Sequence, residues 1–431
     1  MAIKNRLLKK LNLAKPNISN LISTKETAYF DKLCVNFAEA KTLCINGLAE
    51  DNYSKYAEVY EGVSLALQNL SQIGFNEEAL SLCNDLLQYI ITQTENERQF
   101  KKEIFFLPVQ AAMWDSLESV WKEAYSDKAH TIAYVMPLPY ANLNKDGSVS
   151  NRCLEKDKYP SYVPTIHYND VDLEEIHPDV IVINNPYDDL NYITRVDEKY
   201  FSHNLRKYTD KLVYIPYFVL SESCSESDLE HFVTLGGVVN SDLVIVQSET
   251  LKKRYIDILS NKATWKDKRY WKDKNYWANR ILGLGSPKID KAVNLKREDF
   301  DLPDEWKKII KGKKVVLYLT GLSPQVFNAD KIFNKMRYVF DIFKKRDDVV
   351  LWWRPHPLIK ESLHALLPIV EEEYLKLEKE YIRQGFGIYD DTGDLHRAIC
   401  YSDAYYGDDS SVVTLYKHTG KPVMIENFDV L

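Results

Sequence analysis

Cysteine is sparse in this chain of 431 residues. Six are present (Cys34, Cys44, Cys83, Cys153, Cys224 and Cys400), scattered and without a Cys-x-x-Cys pair. That spacing excludes a disulfide framework or a cysteine zinc site and reads as reduced thiols. Long apolar runs are also missing. None approaches the roughly 20 residues that span a bilayer, and the N-terminus lacks the apolar stretch of a secretory signal. Positive charge is in deficit, with a formal net charge of −7, which argues against broad nucleic-acid binding. No carboxylate-rich metal cage is evident, so a divalent cation is permitted but not required. What remains is 45% hydrophobic and 28% charged. That is a globular composition, at a length that suits two or three domains.

The first hundred residues read as all-helical. Met1 to Leu13 sets Ile3, Leu7, Leu8 and Leu11 near one side, among Lys4, Arg6, Lys9 and Lys10. This suits either an anionic membrane surface or an ordinary first helix, and Lys15-Pro16-Asn17 is expected to break it. Three further helical patterns follow, through Leu33 to Cys44, Val59 to Leu70 and Ala79 to Ile91. From Glu103 the period changes. Short apolar runs at 104–109, 131–136, 163–168, 180–184, 212–217, 243–246 and 281–283 alternate with helical or loop material. A second series holds 315–319, 349–353, 402–407 and 422–425. Continuous Val/Ile runs between helices indicate parallel sheets covered on both faces. The expected fold class is therefore α/β and GT-B-like, with two Rossmann-like domains facing a cleft behind an all-helical prefix. The expected boundaries are 1–100, 101–300 and 301–431.

Two stretches in the last domain carry the chemistry. Trp353-Arg354-Pro355-His356-Pro357 follows a buried strand, so Arg354 and His356 fall at its carboxyl end, where open α/β sheets bind ligands. Arginine supplies a forked donor for phosphate oxygens, and histidine a second donor or a proton. The plainer alternative is a satisfied loop histidine beside a surface ion pair. Asp408-Asp409-Ser410-Ser411 opens a helix that Gly420 ends. Such a start points N–H groups and hydroxyls at one place, suited to phosphate, or is simply an N-cap. Asp390-Asp391-Thr392-Gly393-Asp394 either caps the next helix or offers Asp391 and Asp394 to a ribose or polyol hydroxyl. Trp265, Trp271 and Trp277 recur every six residues among lysines. They fit an interfacial or polyanion contact, or a helix laying tryptophans on its own domain.

These motifs, in this order, resemble the CDP-glycerol glycerophosphotransferases, the teichoic-acid polymerases and primases of Gram-positive bacteria. The resemblance covers about residues 210 to 427. It includes Val244-Ile245-Val246-Gln247-Ser248-Glu249 and Gly285-Ser286-Pro287-Lys288-Ile289-Asp290, and in place of the family's D-Y-S-S block it has Asp408-Asp409-Ser410-Ser411. It implies a GT-B fold and a transferase that moves a polyol phosphate from a CDP-activated donor to a polymer or lipid-linked acceptor and releases CMP. By this likeness His356, Ser410 and Ser411 contact the donor phosphates, and Arg354 joins them by its place at the strand end. Asp391, Asp394, Asp409 and Gly321 are the candidates for the nucleotide or polyol. No cofactor, metal or nucleic acid is implied. The expected location is cytoplasmic, at the inner face of the membrane, with contact through Trp265, Trp271 and Trp277 or the basic N-terminus.

One family feature is missing. Where a Trp-His-Gly histidine would serve as acceptor base, the chain reads Tyr214-Ile215-Pro216-Tyr217-Phe218-Val219. The alternatives at strand ends are Asp188, Asp189, His167 and Glu222, with Asp188 and Asp189 leading. Two rival readings stay open: a GT-B glycosyltransferase using a nucleotide sugar, and a non-catalytic binding protein with a degenerate cleft.

Overall fold

Four helices come first: α1 (Ala2–Thr24), α2 (Thr27–Gly47), α3 (Glu50–Ile73) and α4 (Glu77–Asn96). The structure, a computed structural model, describes residues 2–144, 146–321, 329–356 and 359–426. Helix α1 passes straight through Pro16, contrary to the expected break. Proline lacks the N–H that would reach the Asn12 carbonyl and crowds that carbonyl. Burial outweighs the loss, because Leu7, Leu11, Ala14, Ile18 and Leu21 on both sides of Pro16 share one core and are at most 1% exposed. The Asn17 side-chain amide donates to the Leu13 carbonyl at 2.7 Å, an added tie in the turn around Pro16.

This packing also corrects the membrane-surface expectation for the N-terminus. Its apolar side is already covered. Three of its four cations are engaged as well, Arg6 with Glu103 at 2.5 Å, Lys10 with Glu39 at 2.5 Å and Lys4 with the Glu95 and Glu97 carbonyls, while Lys9 is exposed. No helix among the described residues is long and apolar enough to cross a membrane.

The chain divides into two units. The first comprises Met1–Ile215, Glu230–Ile245 and Arg254–Leu282, so it includes the four helices. They are tied on locally: the Ala2 N–H donates to Asp179 Oδ1 at 3.1 Å, and Lys101 N to the Gly47 carbonyl at 2.8 Å. Its main sheet uses β1 (Lys102–Leu107), β2 (Thr131–Val135), β5 (Val180–Ile183), β7 (Lys211–Tyr214), β8 (Leu243–Val246) and β9 (Ile281–Gly283). The spatial order is β2-β1-β5-β7-β8-β9, that of a doubly wound sheet. The run at 163–168 is not a strand; Thr165 makes one isolated bridge to Val135. A three-stranded antiparallel sheet of β3 (Tyr140–Leu143), β4 (Val149–Cys153) and β6 (Thr194–Val196) occupies ground read as loop.

The tryptophan segment lays its rings on its own unit, the second of the two readings given for it, with Trp271 half-buried. Trp265 and Trp277 are 7% and 1% exposed, with rings stacked at 6.4 Å and 5° apart in tilt. The indoles of Trp265 and Trp271 donate to the carbonyls of Leu259 and Ser260, each at 2.8 Å. Indole N–H groups need such acceptors once buried; the chain supplies them for Trp265 and Trp271, while Trp277 Nε1 has none among the described residues.

The second unit comprises Pro216–Leu229, Val246–Lys253 and Gly283–Leu431. Its strands are β10 (Lys314–Thr320), β11 (Val349–Pro355), β12 (Ile388–Tyr389), β13 (Ala404–Gly407) and β14 (Val423–Ile425), all paired in parallel. The order β12-β11-β10-β13-β14 is 3-2-1-4-5 by sequence, the Rossmann order. Neighbouring residues serve opposite faces: Leu317 and Trp352 enter one core, Tyr318 and Trp353 the other. Alternation within an entirely apolar strand marks a sheet covered on both sides.

Candidate functional site

Strand register builds the site in the second unit. Thr320 pairs with Pro355, Leu319 with Gly407, and Gly407 with Ile425. The residues that leave those strand ends are Gly321, His356, Asp408 and Glu426, a row along the carboxyl edge. The order of strands reverses between β10 and β13, and ligands of doubly wound sheets bind at such switch points. Gly321 N–H donates to the Asp408 carboxylate across this position. Gly407 makes the approach feasible. Its φ is +144°, and a Cβ there would lie 2.1 Å from the Leu319 carbonyl oxygen.

Arg354 is placed differently from a free phosphate donor. Trp353 pairs with Tyr389, so Arg354 lies beside Asp390. The guanidinium sits 2.9 Å from Asp390 Oδ2, with both side chains buried, and also donates to the Thr392 carbonyl. Asp390 accepts further bonds from Trp352 Nε1 at 3.0 Å and from Thr392 N and Oγ1 at 3.0 and 2.7 Å. Arg397 approaches its other oxygen at 3.4 Å. A buried ion pair holds when its remaining lone pairs are satisfied in this way. Arg354 therefore fixes the Asp390–Asp394 turn, and that turn fixes the start of the next helix.

His356 follows directly. Its N–H donates to the Thr320 carbonyl at 2.9 Å, and its carbonyl accepts from Ile359 N at 3.0 Å. Burial lowers the imidazole pKa below its ordinary value, which favours the neutral ring at neutral pH. Asp394 caps Leu395–Tyr401, accepting from Arg397 N at 3.0 Å. Asp391 and Asp409 are exposed. Ser410 is the N-cap residue of Ser411–Lys417 and makes no side-chain cap bond. Its hydroxyl is shielded and has no partner in hydrogen-bonding geometry, although it interacts with the nearby Tyr405 phenol. The Ser411 side chain lies outside the described residues.

Two further carboxyls lie at this edge: Glu426, outside the motifs named above, and Asp408, which figured there only in the helix start. Glu426 accepts from the stacked Tyr318 and Tyr406 hydroxyls, at 3.2 and 3.3 Å. Burial and the neighbouring Asp408 push its pKa up to about 7. Burial pushes Asp408 to about 6, against the Gly321 N–H that favours its charged form. The available signal was positional: each is the first polar residue after an apolar strand.

In the first unit, Asp188 is committed to the fold. Its carboxylate accepts from Ser202 N at 2.8 Å and Ser202 Oγ at 2.6 Å, at a positive φ of 48°. A Cβ on Gly236 would collide with Asp188 Oδ2 at 2.1 Å, so the loop and the helix start are mutually fitted. Burial raises its pKa above the usual value. Asp189 is exposed. Asn184, at the end of β5, is fully buried and donates to the Met113 carbonyl and Ser116 Oγ, each at 3.2 Å. The structure joins His356, Gly321 and Asp408 along one sheet edge; Asp188 and Asp189 belong to the other unit.

Two doubly wound α/β units, with four helices ahead of them in sequence, have the make-up of a GT-B-like fold. Residues 241–430 match the family model described as CDP-Glycerol:Poly(glycerophosphate) glycerophosphotransferase. Among solved structures, the wall teichoic acid polymerase TagF is 15% identical, with 87% of this chain and 80% of that one covered and a TM-score of 0.40. A protein described as a UDP-N-acetylglucosamine 2-epimerase from Listeria monocytogenes is 14% identical, with 75% and 79% covered and a TM-score of 0.45. S. aureus MnaA with UDP is 12% identical, with 75% and 78% covered and a TM-score of 0.44. No curated protein matches.

Proposed function

We propose that this protein transfers glycerol phosphate, or a similar polyol phosphate, from a CDP-activated donor to a hydroxyl of a cell-wall or capsular polymer. The family match over residues 241–430 carries this reading. It encloses the strand ends that bear His356, Asp408 and Ser410. The acceptor oxygen attacks the phosphorus bonded to the polyol, the bond from that phosphorus to the CMP phosphate oxygen breaks, and CMP leaves. Such a step asks the protein mainly to position groups and to stabilise charge.

Ser410 and Ser411 contact one donor phosphate. The helix they open has seven residues, so hydroxyls and N–H groups do more there than a macrodipole. His356 in its neutral form offers one N–H to the other phosphate. Arg354 contributes through the turn it anchors, with its charge already facing Asp390. Asp391, Asp394 and Asp409 remain the candidates for the nucleotide or polyol. For the acceptor proton we favour Asp189 over Asp188, because Asp188 is spent on Ser202. No cofactor enters the step. Work at the inner face of the cell membrane follows from a lipid-linked acceptor rather than from the tryptophans.

The test is turnover of CDP-glycerol by the purified full chain. CMP should appear in equal amount to transferred glycerol phosphate. His356→Ala should lower the rate at least about 100-fold, the scale of one lost charge-stabilising donor. Asp189→Asn should lower kcat more than Asp188→Asn does in properly folded protein. Release of a nucleoside diphosphate from a sugar donor would point to the glycosyltransferase reading instead, and wild-type turnover by His356→Ala would sink the assignment.

A further inference from the structure

A second cavity in the first unit has no part in that reading. It has a volume of about 690 Å³ and is lined by Tyr168, Tyr200, Tyr208, Asp170, Glu174 and Lys199, among others. These residues precede β5 and β7, so the cavity lies towards the amino ends of those strands. Substrates of doubly wound sheets bind at the opposite, carboxyl end.

The chemistry of the walls is specific. The Lys199 ammonium lies 4.7 Å from the centre of the Tyr200 ring and 5.7 Å from that of Tyr168. The two tyrosines thus already meet a cation on an exposed stem, which also contacts the Tyr200 hydroxyl; Tyr200 is itself largely buried, and Tyr168 also stacks on His167 at 4.6 Å. Asp170, Asp172, Glu174 and Glu175 also line the cavity. Asp172 spends one oxygen on the N–H groups of Glu174 and Glu175. None of the four carboxylates forms an ion pair among the described residues. Four carboxylates lining one cavity favour a cationic occupant. Among the described residues no three acidic, histidine or cysteine side chains converge in a way that could hold a metal ion. Ring faces, moreover, suit an organic cation, which loses less on leaving water than a small hard ion does.

We propose that this cavity is a binding site for an organic ammonium group, with Tyr168 and Tyr200 as the ring faces, Asp170 and Glu174 as the counter-charges, and Lys199 as a tethered competitor. A phosphate-rich polymer chain is disfavoured by the same carboxylates. The site would therefore read an amine-bearing substituent or headgroup. The inference stands apart from the transfer reaction and survives if that reading fails.

Calorimetric titration of the full chain with choline chloride tests it, with neutral 3,3-dimethylbutan-1-ol as the isosteric control. Choline should bind saturably, with a dissociation constant on the order of 1 mM for so small a ligand. The alcohol should bind at least about fivefold more weakly, because it lacks the charge the rings attract. Lys199→Ala should tighten choline roughly threefold to tenfold by vacating the ring faces, an outcome a merely structural lysine would not produce. Tyr168→Leu and Glu174→Gln should weaken it. Equal binding of the alcohol, unchanged or weaker binding in Lys199→Ala, or displacement of choline by millimolar calcium would each overturn the proposal. So would absence of saturation in both wild type and Lys199→Ala.

Discussion

Asp390 is the most heavily bonded side chain in the second unit's candidate site. Both of its oxygens are engaged, and two arginines depend on it. Removing its charge leaves both guanidinium groups facing a neutral amide, whereas removing Arg354 leaves Asp390 with Arg397. Asp390→Asn should therefore cost about 3 kcal/mol or more, in the range of a broken buried pair, and Arg354→Met should cost less. Urea unfolding of the two variants decides the order. Arg354→Lys should not rescue, since one ammonium cannot reach both the carboxylate and the Thr392 carbonyl in the fork geometry.

Among the elements, α1 shows how tertiary packing overrides a local signal. Pro16 is tolerated because the turns on either side of it enter the same core. Pro16→Ala should restore the missing backbone bond and raise stability by about 1–3 kcal/mol, since proline costs roughly 3 kcal/mol in a helix interior and part of that has been relaxed here. A higher thermal midpoint would bear this out; a lower one would mean that the proline itself is needed. The parallel strands were legible because they are continuous apolar runs, and the helices because their apolar residues recur on one face. The small antiparallel sheet was not. Val149–Cys153 is largely exposed and carries no apolar period, so nothing in its composition separates it from a loop. The tryptophan segment misled for the opposite reason. Its lysines suggest an outer surface, and only the three-dimensional fold shows the rings turned inward.

For the molecule as a whole, the carboxyls of Glu426 and Asp408 impose a pH dependence. Held at about 7 and about 6, both sit above ordinary carboxylate values. The native state then keeps protons that the unfolded chain has released. Stability from these groups is fully present below the ordinary carboxylate range and falls as pH rises through 6 to 7. Glu426 alone accounts for on the order of 3 kcal/mol at most, at about 1.4 kcal/mol per pH unit. Glu426→Gln should flatten the decline between pH 5 and pH 8, measured as urea midpoints. An unchanged slope in the variant would show that the proton resides elsewhere. The candidate site was half legible. Motif order led to His356, Ser410 and Ser411, but burial decides which charges are spent, and burial at Arg354, Asp390 and Glu426 depends on strands distant in sequence.

The paired rings of Trp265 and Trp277 also have an optical consequence. Two indoles lying nearly parallel, 6.4 Å apart in a rigid interior, form a chiral chromophore that belongs to the first unit alone. Its near-ultraviolet circular dichroism should vanish when that unit melts. In the second unit Trp306 instead meets Trp352 at 75°, Trp353 meets its ring neighbours at 53° or more, and Trp352 stacks on Tyr401. Near-ultraviolet dichroism and total tryptophan emission, recorded in one denaturant series, would then report whether the two units come apart together or one after the other.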